Sequence, residues 1–202
     1  MRIAVLNRYR YRKEPNDVVV STTSNSEGKW QLLSPFILGP CQLYKGNRSL
    51  NMENAWQFSK VYKRHTNEWG DPTFAYFDWA RRGWGDHRAH RYPMGKGAIP
   101  EYSWWDGTKL DYINARKRIY APLYARAVQR TVAFRELKRL YNECKREKKR
   151  LVLLDYDAYD HRELKMTLTD VLNFKDKKMG HAFVLMMLLK KDKALDQIGF
   201  IK

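Results

Sequence analysis

The stretch Met52-Glu-Asn-Ala-Trp-Gln-Phe-Ser-Lys60 carries a carboxylate, an indole, an amide and an ammonium group at Glu53, Trp56, Gln57 and Lys60. Those positions stand at i, i+3, i+4 and i+7, so a helix across the whole stretch would put all four on one face. Such a stripe suits a site for a polar ligand with a flat ring and suits a packed core poorly. Ala55, Phe58 and Tyr62 make the opposite, core-facing stripe, which leaves the polar one looking outward or into a cleft.

A second group of acids follows Leu151-Val-Leu-Leu154, a short apolar run that fits a buried strand. It leads directly into Asp155-Tyr-Asp-Ala-Tyr-Asp160-His161, and carboxylates just past the end of a buried strand are where α/β-type sites are commonly built. Asp155 and Asp157 also suit a cap on a following helix or a partner for a basic helix end, and for Asp157 that is the preferred reading. Asp-x-Asp invites a metal, but no clustered His or further acids stand at ligand spacing, so no metal is expected. His87, His90 and His161 are scattered and read as surface or structural residues. Gly95-Lys-Gly97 is too short for a phosphate-binding fingerprint, and nothing in the sequence calls for a cofactor.

The elements that must position these groups are short. Arg2 to Leu6 and Val18 to Thr22 read as strands, and Trp30 to Leu38 is another apolar piece ended by Gly39-Pro40. Residues 1–30 thus form a strand and loop part, and Asn51 is the expected cap of the helix that holds Glu53. Residues 66–108 read as an irregular, Trp-rich insertion that walls the site, with Trp69, Trp79, Trp84, Trp104 and Trp105 mostly covering a hydrophobic edge. From Lys109 to about Lys149 the pattern is helical, divided at Pro122. Its basic end, from Lys138 to Arg150, complements the helix dipole and reads as a solvated face. Met179 to Leu189 reads as a buried closing helix.

With 202 residues and 44% hydrophobic content, the chain has enough apolar side chains for one compact domain with a real core. Its 39 basic and 22 acidic side chains give a net charge of +17, which favours an anionic partner, with nucleic acid the first candidate. No zinc finger, basic zipper or single-strand aromatic motif is legible in the order of residues. Cys41 and Cys144 read as buried thiols in a reducing compartment. No apolar signal region follows Met1, and the longest apolar run, Ala182 to Leu189, is far below membrane-spanning length. A soluble cytoplasmic protein is expected.

The order of these motifs resembles the NADAR (YbiA-like) family of N-glycosidase-related domains, associated with NAD, ADP-ribose and ribosylamine metabolites. Ser34-Pro-Phe36 looks like the family's early Phe motif, and Glu53 to Lys60 is similar to its helix with Glu, Gln and Lys at the same intervals. Trp105-Asp106 with Lys109 to Tyr124 resembles its Trp-initiated helix, Asp155 to Asp160 its strand end with two acids, and Asn173 with Gly180 to Met186 its closing helix. Two departures mark a divergent member. Asp160 is followed by His161-Arg-Glu-Leu rather than a Trp-Gly pair, and Asp155 stands where Glu is usual.

The resemblance implies an α+β domain dominated by helices with a few short strands, and an enzyme that cleaves the N-glycosidic bond of a ribosyl or ADP-ribosyl compound, free or on nucleic acid. Such cleavage passes through an oxocarbenium-like state that needs one carboxylate near the anomeric carbon and a second group for the water or the leaving base. Glu53 is expected to stabilise the sugar cation, with Asp160, or as second choice Asp155, handling the water or leaving group. Lys60 would meet a phosphate or hold Glu53 ionised, Gln57 would bond ribose or base, and Trp105 or Trp56 would stack on the base, with Phe36 beside them. Two alternatives stay open: a non-catalytic binder that keeps the pocket for a nucleotide or nucleic acid, and a basic packaging-type protein without a ligand.

Overall fold

The computed structural model describes residues 3–199, so Arg2, read above as the start of a strand, lies outside the described residues. Strands β1 (Ile3–Asn7) and β2 (Asp17–Ser21) are followed by a 3-10 segment, Gly28–Leu33, where the sequence shows only an apolar run. Strands β3 (Cys41–Gln42) and β4 (Arg48–Ser49) pair antiparallel ahead of helix α1 (Met52–Gln57). Strand β5 (Lys60–Val61), helix α2 (Phe74–Trp84) and strands β6 (Tyr102–Trp105) and β7 (Thr108–Leu110) come next. A continuous helical stretch comprises α3 (Tyr112–Ala115), a π turn (Arg116–Tyr120) and α4 (Ala121–Val128). Helix α5 (Val132–Arg146), strand β8 (Arg150–Asp155) and helices α6 (Leu168–Asn173) and α7 (His181–Lys190) follow. The fold is α+β, predominantly helical with short strands.

Strand β8 is the centre of a parallel sheet of order β1-β8-β2, and Leu151 to Asp155 are all buried. That continuous apolar run is what a parallel strand covered on both faces requires. Helix α7, whose residues His181 to Met187 are buried throughout, packs on β1 and β8, and α5 also packs on β8. All three strands point the same way, so Asn7, Ser21 and Asp155 end at one edge. The crevice at that carboxyl edge is where an α/β sheet offers a ligand site.

Three sequence expectations are revised. Helix α1 ends at Gln57, with its cap at Phe58, so Lys60 stands on β5 rather than one turn further along the helix. Asn51 does cap α1, accepting the Asn54 amide at 2.8 Å. Pro122 does not divide two helices. It lacks the N–H that would bond back one turn, and the widened π turn just before it absorbs that defect without breaking the helix. The break falls at Gln129–Thr131, where Thr131 caps α5 through the Phe134 amide. Finally, residues 66–108 contain α2 and β6, with Tyr76, Ala80, Gly83 and Trp84 forming α2's buried stripe.

The basic end of α5 is largely exposed, apart from Arg150, which reaches across to Asp17 (Nε to Oδ1, 2.5 Å). Cys41 and Cys144 are buried free thiols. Among the described residues no helix is long and apolar enough to cross a membrane.

Candidate functional site

At the carboxyl edge of the parallel sheet lies a cavity of about 810 Å³, within the roughly 300–1,000 Å³ usual for ligand pockets. The segments leaving the three strands supply one side: Tyr9 after β1, Thr23 and Ser24 after β2, and Asp155, Tyr156 and Asp157 at the end of β8. Helix α1 supplies Glu53, Trp56 and Gln57, with Phe36 and Lys60 beside them, and the π turn supplies Arg116 and Tyr120.

Glu53 is buried, 7% exposed, and it stands at the head of a directed chain. Lys60 Nζ donates to Gln57 Oε1 at 2.6 Å, and Gln57 Nε2 donates to Glu53 Oε1 at 2.8 Å. The ammonium group also lies 5.1 Å from the centre of the Trp56 ring. Burial raises the Glu53 carboxyl above its ordinary range, against the Gln57 bond and the charges of Lys60, Arg91 and His181. Burial likewise lowers Lys60 to about 8, opposed by Glu53 and assisted by nearby Lys178. Lys60 therefore reaches its partners from β5 even though α1 is too short to carry it.

Asp155 is also buried. Its Oδ1 accepts the Tyr156 amide at 2.6 Å, and its Oδ2 accepts the Ala182 amide at 3.3 Å at the start of α7 and faces His181 Nδ1 at 3.1 Å. His181 Nε2 lies 2.8 Å from the Thr22 carbonyl, which can only accept, so Nε2 carries hydrogen. Asp155 Oδ2 and His181 Nδ1 sit in close contact where β8 ends against α7. Gly180 makes this approach feasible: a Cβ there would stand 2.2 Å from Asp155 Oδ2.

The π turn aims two residues at the same space. The Tyr120 hydroxyl has no hydrogen-bond partner among the described residues. Burial, then the charges of Asp155 and Glu53, push its ionisation well above the usual phenol range, so it remains a neutral donor close to both acids. Arg116, 2% exposed, donates to the carbonyls of Val171, Leu172, Phe174 and Lys177, and its guanidinium lies 4.6 Å from the Tyr112 ring centre. It closes the end of α6 and holds the loop that carries Lys178.

Two asparagines on and before α1 hold the remaining wall. Asn54 donates to the Asp86 and Arg88 carbonyls and accepts the His90 amide at 2.8 Å, and Asn51 lies within bonding distance of the same loop. That loop presents Arg91 and Tyr92, then Gly95 and Gly97, whose φ values of 92° and 89° suit only glycine comfortably. Lys60, Arg91 and Lys178 make the pocket cationic opposite its acids, and tyrosines, Trp56 and Phe36 supply flat apolar surface. Among the described residues no three His, Cys, Asp or Glu side chains gather as a metal site.

The structure therefore brings Glu53, Asp155, Trp56, Gln57, Lys60 and Phe36 to one pocket and leaves two expected residues outside it. Asp160 lies beyond the turn that follows β8. Partial burial would raise its carboxyl, but the Arg162 side chain and amide outweigh that and hold it below the usual range. Trp105 packs edge-on against Tyr44, ring centres 4.9 Å apart, on the β6–β7 hairpin. None of the tryptophans of residues 66–108 lines the pocket, whose wall from that segment is Arg91 to Ala98. Asp157, read as a cap or a helix-end partner, instead lines the pocket and meets Arg91 at 3.4 Å.

Tyr120, His181, Arg91 and Lys178 escape a reading of the sequence. His181 opens the closing helix as the one polar side chain in a run of apolar residues, which is a usable signal. Tyr120 has none, because its position depends on the π turn. No curated protein and no solved structure matches the chain. A family model does match residues 5–171, so the segments that build the β1–β8 edge, α1 and the π turn all lie within it, and the chain belongs to a family of unknown function, DUF6939.

Proposed function

We propose that this pocket hydrolyses the N-glycosidic bond of a ribosyl or ADP-ribosyl compound. The observation that carries the reading is the convergence of two buried carboxylates, Glu53 and Asp155, in one cavity with aromatic walls and four cations, Lys60, Arg91, Arg116 and Lys178. The motif order that resembles the NADAR family supports the same chemistry, with Asp155 in the place that the sequence reading assigned first to Asp160.

In this mechanism the C1–N bond breaks with its electron pair passing to the base. Positive charge grows on the sugar beside Glu53, a desolvated carboxylate that gains more from a neighbouring cation than an exposed one would. Asp155, as a carboxylate, orients water toward C1 and takes up the proton that water releases. Tyr120 donates to the leaving base or a ribose hydroxyl. Trp56 stacks on the flat ring, Gln57 bonds its edge, and Lys60, Arg91 and Lys178 meet phosphate oxygens. The two buried free thiols fit a reducing compartment, and we place the activity in the cytoplasm.

The test is incubation of the full chain with NAD, ADP-ribose, ribosylated bases and ADP-ribosylated DNA, followed by mass spectrometry. Glu53→Gln is the control, since its amide oxygen still accepts from Gln57. Release of free base by the wild type and not by the variant supports hydrolysis. Retention of one compound without turnover would replace this reading with that of a binding module.

A further inference from the structure

A second concavity, sharing no lining residue with the pocket, lies beside the β5–β6–β7 sheet. Side chains opposite one another in an antiparallel pair share a face, and neighbours along a strand alternate. Lys60 pairs with Ser103, so both belong to one face, while Tyr102, Trp104 and Lys109 (opposite Trp104) belong to the other. Helix α2 sets Phe74, Phe77 and Arg81, at i, i+3 and i+7, along one stripe. Between them is a cleft of about 290 Å³, lined by Tyr44, Phe77, Trp84 and Trp104 together with Lys45 and Arg81.

Three features of this cleft point to a ligand. Its aromatic pairs, Tyr44 with Trp84 and Phe77 with Trp104, meet edge-to-face at 89° and 78°, so none of the four rings is stacked flat on another. Trp84 is 3% exposed and lines the cleft as a buried wall. Beside the cleft, Phe74 is 77% exposed with the Arg81 guanidinium 6.0 Å from its ring centre. Lys45 and Lys109 are shared with Asp106 and Asp71, whereas Arg81 has no carboxylate partner among the described residues.

We propose that this face docks single-stranded nucleic acid. One unpaired base enters the aromatic cleft between Phe77 and Trp104, a neighbouring base stacks on Phe74, and Arg81 meets the phosphate between them. Stacking platforms interleaved with cations are how proteins hold single strands, and a chain of net charge +17 draws such a polyanion to its surface. A duplex keeps its base faces covered and cannot enter. The proposal is independent of the hydrolytic reading, because the cleft and the pocket share no lining residue.

The test is fluorescence anisotropy of the full chain with labelled oligothymidylate, oligouridylate and a duplex of equal length, across a salt series. At least one single strand should bind more tightly than the duplex, and the two single-strand arms distinguish DNA from RNA. Phe74→Ala, at an exposed position, should weaken binding about tenfold. Arg81→Ala should flatten the dependence of log K on log salt by about one. Glu53→Gln and the charge-matched Arg146→Ala on α5 should change little. Equal duplex binding, equal loss in Arg146→Ala and Arg81→Ala, loss in Glu53→Gln, or no binding at all would overturn the proposal.

Discussion

Replacement of Gly180 by alanine tests the construction of the pocket's floor. At φ −71° and ψ 160° the position accepts alanine without backbone strain. Removing glycine's freedom from the unfolded chain would alone stabilise by about 0.4–1 kcal/mol. The packing predicts the opposite sign. A Cβ would stand 2.2 Å from Asp155 Oδ2 and 2.7 Å from the Asp157 carbonyl, so Asp155 must move by about an ångström or α7 must retreat. Either movement breaks the Oδ2 contacts with His181 and the Ala182 amide. A hydrogen bond to a charged group contributes about 1.5–3 kcal/mol, so losing the Ala182 bond together with the His181 contact, with partial relaxation, should cost about 2 kcal/mol. The assay is urea denaturation followed by circular dichroism, with wild type and Gly180→Ala compared at neutral pH. A variant as stable as wild type, or more so, would refute the claim that Asp155 is locked against Gly180.

If Asp155 and not Asp160 serves the pocket, Asp155→Asn should abolish base release while Asp160→Asn leaves it within about twofold, read by the same mass-spectrometric assay. Lys60, lowered to about 8 chiefly by burial, loses its charge as pH rises through that value. Pyrophosphate should therefore bind the pocket more weakly above pH 8 by isothermal titration calorimetry, and Lys60→Met should remove that step. A step unchanged in Lys60→Met would mean another group titrates. Asp17 is held at about 2, below its ordinary 3.8, chiefly by the Arg150 hydrogen bonds, which outweigh its burial. Its contribution, about 2 kcal/mol, is complete above pH 4 and disappears as pH falls through 2. Asp17→Asn should flatten acid denaturation over that window, and an unchanged profile would count against the pair.

Much of the local chemistry is legible in the order of residues. Asn51 announces the start of α1, the types and intervals of Glu53, Trp56 and Gln57 place them along one stripe, and Leu151 to Leu154 reads as a buried strand with an acid at its end. These are properties of single elements, in which backbone geometry converts spacing directly into direction. The tertiary structure decided what those elements meet. Lys60 joins Gln57 from a strand after α1 has ended, and Asp155 rather than Asp160 enters the pocket because the parallel register with β1 and β2 ends beside α7. Tyr120 points inward only because the π turn before Pro122 shifts the helix face. The aromatic face around Trp104 draws on positions 44 to 104 and has no linear motif. Spacing along a chain specifies neighbours within a turn or a pleat. Which turns and pleats come together depends on the burial of the β8 sheet against α5 and α7, and on the buried asparagine and arginine bonds that hold the loops to that core.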